Sequence, residues 1–445
     1  MHINFKKKIY IMLLASIPSL IVCYYFFFFN SFPIVFEDFD SRRYTVNALK
    51  IIENGSYKDL DVVPLYPYTI SIIFKIFGLN NYHSIVLFHS FLVGAIALII
   101  GLIANKINPR WFYLSVLLSA IWPNLVWRTT YVSPEIVLAF FVILSFYLFF
   151  LFFLEKKNYY LYSAFFFIGL ASLTKTSTIF IPFFLLIFTF FFLIKKKNRK
   201  AEIIKIIFFC LISFTFVASF QFYKSYKLTG HIGYSTQSGR FLLSYYYPCL
   251  AQKYGCGTRN VEAFNYGAKK FDDQKKLLSN EDLNNQMVMN KLAKKVALEL
   301  IFDLKFSELA LSSSAAFVKL LYHNFYYDYL ERFKLKAVHL TQTDGVLDFL
   351  NKTLKDGNMR IWLFFQIILI FFFRFLQVCG TLYFLKNKNN YLILSLFFIY
   401  FLSLLLPLAG FSTIRYRVPL EPLFILLTVS GIFFLKDLIK SRNEN

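Results

Sequence analysis

The sequence predicts an all-α integral membrane protein, with about ten transmembrane helices, interfacial helices in a first outer loop and a helical insertion on the same outer side. Three observations carry that prediction. Of 445 residues, 58% are hydrophobic and only 16% charged, and the mean hydropathy is +0.55, which excludes a soluble chain around a single core. Apolar runs lie near 9–30, 84–104, 111–127, 133–154, 159–174, 177–194, 206–222, 359–384, 390–410 and 418–435. Each approaches the roughly 20 residues a helix needs to pair its backbone N–H and C=O groups where no water reaches. Basic clusters then recur at alternate ends of these runs.

If each run is a span, Lys6-Lys7-Lys8, Lys106 with Arg110, Lys156-Lys157, Lys195-Lys196-Lys197 with Arg199, Lys386 with Lys388, and Lys440 with Arg442 share one side. Short loops rich in Lys and Arg stay cytoplasmic, so both termini are expected there. The alternate loops carry Glu37-Asp38-Phe39-Asp40, Ser133-Pro134-Glu135, Thr174-Lys175-Thr176-Ser177 and Arg415-Tyr416-Arg417. The chemically interesting residues therefore face away from the cytoplasm.

The first run follows a basic start but lacks a small-residue cleavage pattern, and Tyr24 to Phe29 is aromatic, so it reads as a retained anchor. A net charge of +23 is scattered as short runs at span ends, which points to topology and an anionic inner leaflet rather than to nucleic acid. The 59 Phe residues suit lipid-facing helix surface. Cys23, Cys210 and Cys379 fall in spans as small apolar groups, whereas Cys249 and Cys256 share an outer loop where a bridge can form. No Cys/His cluster has metal-ligand spacing, and neither a metal nor another cofactor is expected.

Two outer segments interrupt the short loops, giving an N-terminal transmembrane half (1–222) with a first outer loop at 31–83, a loop region with surface helices (223–358), and C-terminal transmembrane helices with a tail (359–445). In the first loop Tyr44, Ala48, Ile51, Ile52 and Gly55 share a face at helical spacing, and 66–78 repeats the pattern. Neither segment is long enough to span, so both should lie along the interface. The stretch 290–330 holds Lys294, Lys295, Glu299, Asp303, Lys305 and Glu308, too many charges for a span. No P-loop, dinucleotide fingerprint, nucleophile elbow or internal repeat is visible.

Asp40 stands just outside the first span at the start of an interfacial helix. A carboxylate at that low-dielectric boundary suits a base that takes a proton from a hydroxyl, while its plain alternative is to cap the helix. Val63-Pro64-Leu65-Tyr66-Pro67 reads as a rigid corner between the interfacial helices. Glu135 opens a span, where the helix dipole alone would favour it. Lys175 sits between two apolar runs on the face lysines avoid, and a cation there needs an anion. Arg415-Tyr416-Arg417-Val418-Pro419 breaks the positive-inside bias twice; a planar guanidinium suits phosphate, and snorkelling to headgroups is the alternative. Arg240, in Ser238-Gly239-Arg240, is a weaker companion.

Taken in order, these features resemble the GT-C superfamily of membrane glycosyltransferases, and within it glycosyltransferase family 39, which includes dolichyl-phosphate-mannose protein mannosyltransferases and bacterial lipid A aminoarabinose transferases. Asp40, Arg43, Tyr44, Ala48 and Gly55 occupy the places of that family's first-loop motif. The Pro-Leu-Tyr-Pro turn, the Pro-Glu at a span mouth, the run Gly169 to Lys175 and the Arg-Tyr-Arg-x-Pro string follow in the family's order, over about 30 to 420. Ser41 stands where the family usually has a second carboxylate. Val63 stands where relatives often have Pro or a basic residue, which passes any phosphate contact to Lys175, Arg240 and Arg415.

The resemblance implies an inverting, metal-independent enzyme of the bacterial cytoplasmic (inner) membrane, with its active site on the periplasmic side. It would move one sugar from a polyprenyl phosphate to a hydroxyl on a lipid, glycan or protein. Asp40 would take or orient the acceptor proton, Tyr44 and Glu135 would orient substrate, and Lys175, Arg240, Arg415 and Arg417 would hold the phosphate. Two other readings stay open: an envelope polysaccharide polymerase or ligase using a diphosphate-linked donor, and a lipid-linked sugar flippase, although transporters place binding groups near the midplane on broken, repeated helices.

Overall fold

The computed structural model describes residues 4–29, 39–195, 199–251, 260–322, 357–386, 391–405 and 414–443, which are helical with no strand among them. In chain order the helices are α1 (Phe5–Phe29), α2 (Phe39–Asn54), α3 (Leu65–Phe77), α4 (Tyr82–Ile107), α5 (Phe112–Ala120), α6 (Pro123–Arg128), α7 (Glu135–Glu155), α8 (Asn158–Thr174), α9 (Ile181–Lys195) and α10 (Lys200–Thr229). There follow α11 (Gln237–Phe241), α12 (Tyr247–Leu250), α13 (Val261–Lys275), α14 (Asn280–Asn284), α15 (Gln286–Phe302), α16 (Phe306–Tyr322), α17 (Gly357–Lys386), α18 (Tyr391–Leu405), α19 (Ile414–Arg417) and α20 (Glu421–Asn443).

Among the described residues, 7 helices are long and apolar enough to cross a membrane, and the protein is a multi-pass membrane protein. Every predicted run corresponds to a helix, but two fall short of a continuous span. The run 159–174 gives α8, of 17 residues, while α18 covers the described part of 390–410. The run 111–127 is broken in two: Trp122 is extended and Pro123 opens α6, because proline disfavours helical backbone in the residue before it and cannot donate to the preceding turn. The two interfacial helices expected in the first loop are α2 and α3.

The chain divides into two compact units. The first comprises Met1–Ser235, Gln377–Pro407 and Val418–Asn445. In it α4 packs on α1, α5 and α7, α7 on α8, and α8 on α10, while α20 lies against α4, α5 and α7; α2 and α3 pack on each other, and α3 also touches α4 and α8. Gly94 makes the approach of α4 to α1 possible, since a Cβ there would strike Ser16 and the Met12 carbonyl, and Gly380 of α17 likewise admits the Leu427 carbonyl of α20.

The second unit comprises Thr236–Leu376 and Leu408–Arg417. Its core gathers Leu243, Tyr247, Ala263, Ala293, Val296, Ala297 and Leu300 from α12, α13, α15 and the turn before α12. Cys249 is disulfide-bonded, and its expected partner Cys256 lies outside the described residues. Cys23, Cys210 and Cys379 are free and buried, as expected of span residues.

Candidate active site

The segment from α2 to α3 is held by an ion-pair cluster. Asp40 and Tyr44 stand one turn apart on α2, so they share a face, while Arg43 turns towards the 56–63 segment. Its Nε donates to Asp59 Oδ2 at 2.7 Å and its Nη2 to Asp59 Oδ1 at 2.8 Å and to Asp61 Oδ2 at 2.6 Å. Asn47 adds a bond to Asp59 at 3.2 Å. Lys224, near the end of α10, donates to the Asp59 carbonyl at 3.0 Å and lies 3.2 Å from the centre of the Tyr57 ring. Burial works to raise the Asp59 carboxyl, but the bonds and charge of Arg43 outweigh it and hold the group below its usual value. Burial likewise opposes the charge on Arg43, and the two carboxylates override it and raise the guanidinium further.

A column of rings leads from α2 into the bundle. Tyr44 meets Tyr66 edge-on with centroids 5.1 Å apart, and Tyr66, fully buried in the first turn of α3, shares a hydrogen bond of 3.2 Å with His89 Nε2 of α4. The two rings stack at 5.9 Å. The corner Val63-Pro64 that sets Tyr66 is itself buried, so the rigid turn expected from its prolines serves to aim a tyrosine.

Next to this column lies a buried charge cluster. Glu135, in the first turn of α7 and only 2% exposed, is near enough for its charge to act on Tyr66 and His89. Lys175 ends α8 in extended backbone, before a short 3-10 turn at Thr176–Thr178. Its Nζ donates to Glu135 Oε1 at 2.9 Å, which supplies the anion that a lysine in that position requires. Arg128 stands on the other oxygen, with Nε 3.9 Å from Glu135 Oε2 and its guanidinium 4.5 Å from the centre of the Tyr131 ring. Farther along, Glu421 at the head of α20 accepts from Trp122 Nε1 at 2.6 Å and from Asn124 Nδ2.

Of the residues expected from sequence, the first unit brings Tyr44, Glu135 and Lys175 into one connected patch and sets Asp40 one turn from Tyr44. Arg240, Arg415 and Arg417 belong to the second unit. Arg240 is exposed on α11, Arg415 stacks near Tyr416 with its guanidinium 5.2 Å from the ring centre, and Arg417 is buried. Asp59, Asp61, His89, Arg128 and Glu421 were not singled out from sequence. For Arg128 the signal was there, since it violates the positive-inside bias as Lys175 does. Among the described residues no group of three or more His, Cys, Asp or Glu could hold a metal ion.

Comparison with known proteins adds three findings. Residues 61–221 match the family model described as dolichyl-phosphate-mannose-protein mannosyltransferase, a stretch that contains Tyr66, His89, Arg128, Glu135 and Lys175. An uncharacterised protein of Aquifex aeolicus is 28% identical over 176 residues, covering 38% of this chain and 35% of that protein. The crystal structure of the Archaeoglobus fulgidus oligosaccharyltransferase in its apo form aligns with a TM-score of 0.55 at 14% identity, over 99% of this chain and 52% of that one. The chain thus spans about half the length of the solved structure and about a third of the curated relative. The sequence similarity to the mannosyltransferase family thus runs through the loop corner, Glu135 and Lys175, and the chain shares the fold of the solved oligosaccharyltransferase.

Proposed function

We propose that the protein transfers a single sugar from a polyprenyl-phosphate donor to an acceptor hydroxyl on a lipid, glycan or protein, at the periplasmic face of a bacterial cytoplasmic membrane. The acceptor oxygen attacks the anomeric carbon from the side opposite the phosphate, so the configuration inverts. Asp40 takes the acceptor proton as the new C–O bond forms, and the bond from the anomeric carbon to the phosphate oxygen breaks. The leaving polyprenyl phosphate carries away the electron pair, and its growing charge is met by fixed cations in a water-poor site, where they act more strongly than in bulk water. Lys175 supplies one such cation, so the scheme needs no metal. Arg240, Arg415 and Arg417 are proposed as further donor-phosphate contacts, with Tyr44 and Glu135 orienting substrate.

One observation supports this reading above the others: the ring column Tyr44–Tyr66–His89 runs from the helix bearing Asp40 to the buried Glu135–Lys175 pair. The helix bearing the acid group and the buried cation thereby belong to one packed set of helices. Transfer from a decaprenyl-phosphate sugar in membranes tests it. Asp40→Asn should lose at least about a hundredfold in rate with normal expression, and full activity in that variant would remove Asp40 from the mechanism. Arg415→Ala that bound the donor as the wild type does would take Arg415 out of the phosphate contacts.

A further inference from the structure

Glu421 is 1% exposed, and a carboxylate withdrawn so far from water has to be held by donors. Trp122 Nε1 and Asn124 Nδ2 both donate to it, and these two residues flank Pro123, the first residue of α6. That helix has 6 residues, too few to hold its own shape, since a short helix does not recover the cost of its first turn. The break at Trp122 also frees it from the direction of α5. What orients α6 therefore has to come from outside it.

The turn before Glu421 supplies the rest of the seat. Val418 and Leu420 are buried at 2% and 1% exposure, and this 3-10 turn packs on both α6 and α7. Those helices are the two arms of one hairpin: α6 ends at Arg128, α7 begins at Glu135, and Arg128 reaches back over Tyr131 towards the Glu135 carboxylate. A carboxylate nearly 300 residues away in sequence thus fixes the arm that presents Arg128 beside Lys175.

We infer that Glu421 is a positioning residue: through Trp122 and Asn124 it sets α6 so that Arg128 joins Lys175 on Glu135, and the two cations together receive the phosphate of the donor lipid. The guanidinium fork suits a phosphate, for which Lys175 alone provides only a point charge. The identity of the ligand rests on the reading under Proposed function; the positioning of Arg128 does not.

The test compares the full-length wild type, Arg128→Gln, Glu421→Gln and the double variant for binding of decaprenyl phosphate, with their melting temperatures in the same detergent. Gln at 421 keeps the size but turns an NH2 towards a donor. Each single variant should bind about tenfold more weakly, and the double variant no more weakly than Arg128→Gln, because both changes remove one contact. Losses that multiply to about a hundredfold would mean Glu421 acts independently of Arg128 and would overturn the inference, as would wild-type affinity in Glu421→Gln. Should Glu421→Gln fail to fold, Trp122→Phe, which deletes only the N–H donor, takes its place in the same cycle. If the wild type itself does not bind the lipid, the donor reading falls, and the melting temperatures decide the positioning: non-additive shifts support it and additive shifts overturn it.

Discussion

Two of the charge clusters in the first unit are built to opposite plans. Around Arg43, one guanidinium faces two carboxylates at side-chain exposures of 18–26%, with Lys224 spent on a backbone carbonyl and a ring face. Around Glu135, one carboxylate faces two cations, and the exposures are 2% for Glu135, 8% for Arg128 and 16% for Lys175. Charges that keep some water are cheap to pair and cheap to separate. Charges taken out of water are expensive to bring together and far more expensive to strand. The first cluster therefore reads as a latch that lays the loop on its helices. The second keeps cations at a depth where apolar packing is often the more stable choice, which accords with the proposed role of Lys175 in the site.

The largest expected effect breaks the buried cluster at its centre. Glu135→Ala leaves Arg128 and Lys175 without the anion they share and should cost about 3–5 kcal/mol, read as a drop in melting temperature in detergent. Lys175→Met should cost less, since Arg128 still stands on Glu135, while donor binding falls. Arg43→Gln should cost only about 1–2 kcal/mol, because water can reach the stranded Asp59 and Asp61. Equal losses for Glu135→Ala and Arg43→Gln would erase the distinction between site and latch.

Acid separates the two clusters in another way. Asp59 is held below its ordinary value in the folded protein, so its contribution is fully present above about pH 4, the unfolded carboxylate range, and is lost as the pH falls through the depressed folded value. The raised guanidinium of Arg43 does not titrate in that range. The loop at 56–63 should stay protected from hydrogen exchange down to about pH 5 and open only below about pH 4. Opening between pH 5 and 7 would show that another group controls it.

Much of this frame was legible from residues alone, for physical reasons that also explain what was not. Spans are written in composition because lipid forbids unpaired backbone, and α2 and α3 are written in periodicity because one face has to meet apolar surface. Lys175 stood out as a cation on the face lysines avoid and Asp40 as a carboxylate at the low-dielectric boundary, whereas Tyr44 and Glu135 were marked by their resemblance to family motifs. The string Asp59-Leu60-Asp61 did not, since two acids in a polar loop look like any solvated turn until Arg43 is seen between them. His89 was hidden inside an apolar run, and Glu421 looked like an ordinary first-turn acid, because the Trp122 and Asn124 that give it meaning are distant in sequence. Long-range pairing is the information a single sequence withholds.

The smallest expected effect tests the latch at its weakest member. Lys224 lies near the end of a span, where Met fills the same space without a charge to solvate, so Lys224→Met removes the contact with the Tyr57 ring and the bond to the Asp59 carbonyl while disturbing little else. A cation over a ring at a partly exposed site contributes about 0.5–1 kcal/mol, equivalent to a two- to fivefold change in how often the loop opens. Lys58 is exposed in that loop, so the rate of tryptic cleavage after it reports the opening directly. A two- to fivefold rise in cleavage would place Lys224 with Arg43 in the latch. An unchanged rate would leave Arg43 and its two carboxylates to hold the loop without α10, and the contrast between the clusters would then rest on the α2 side alone.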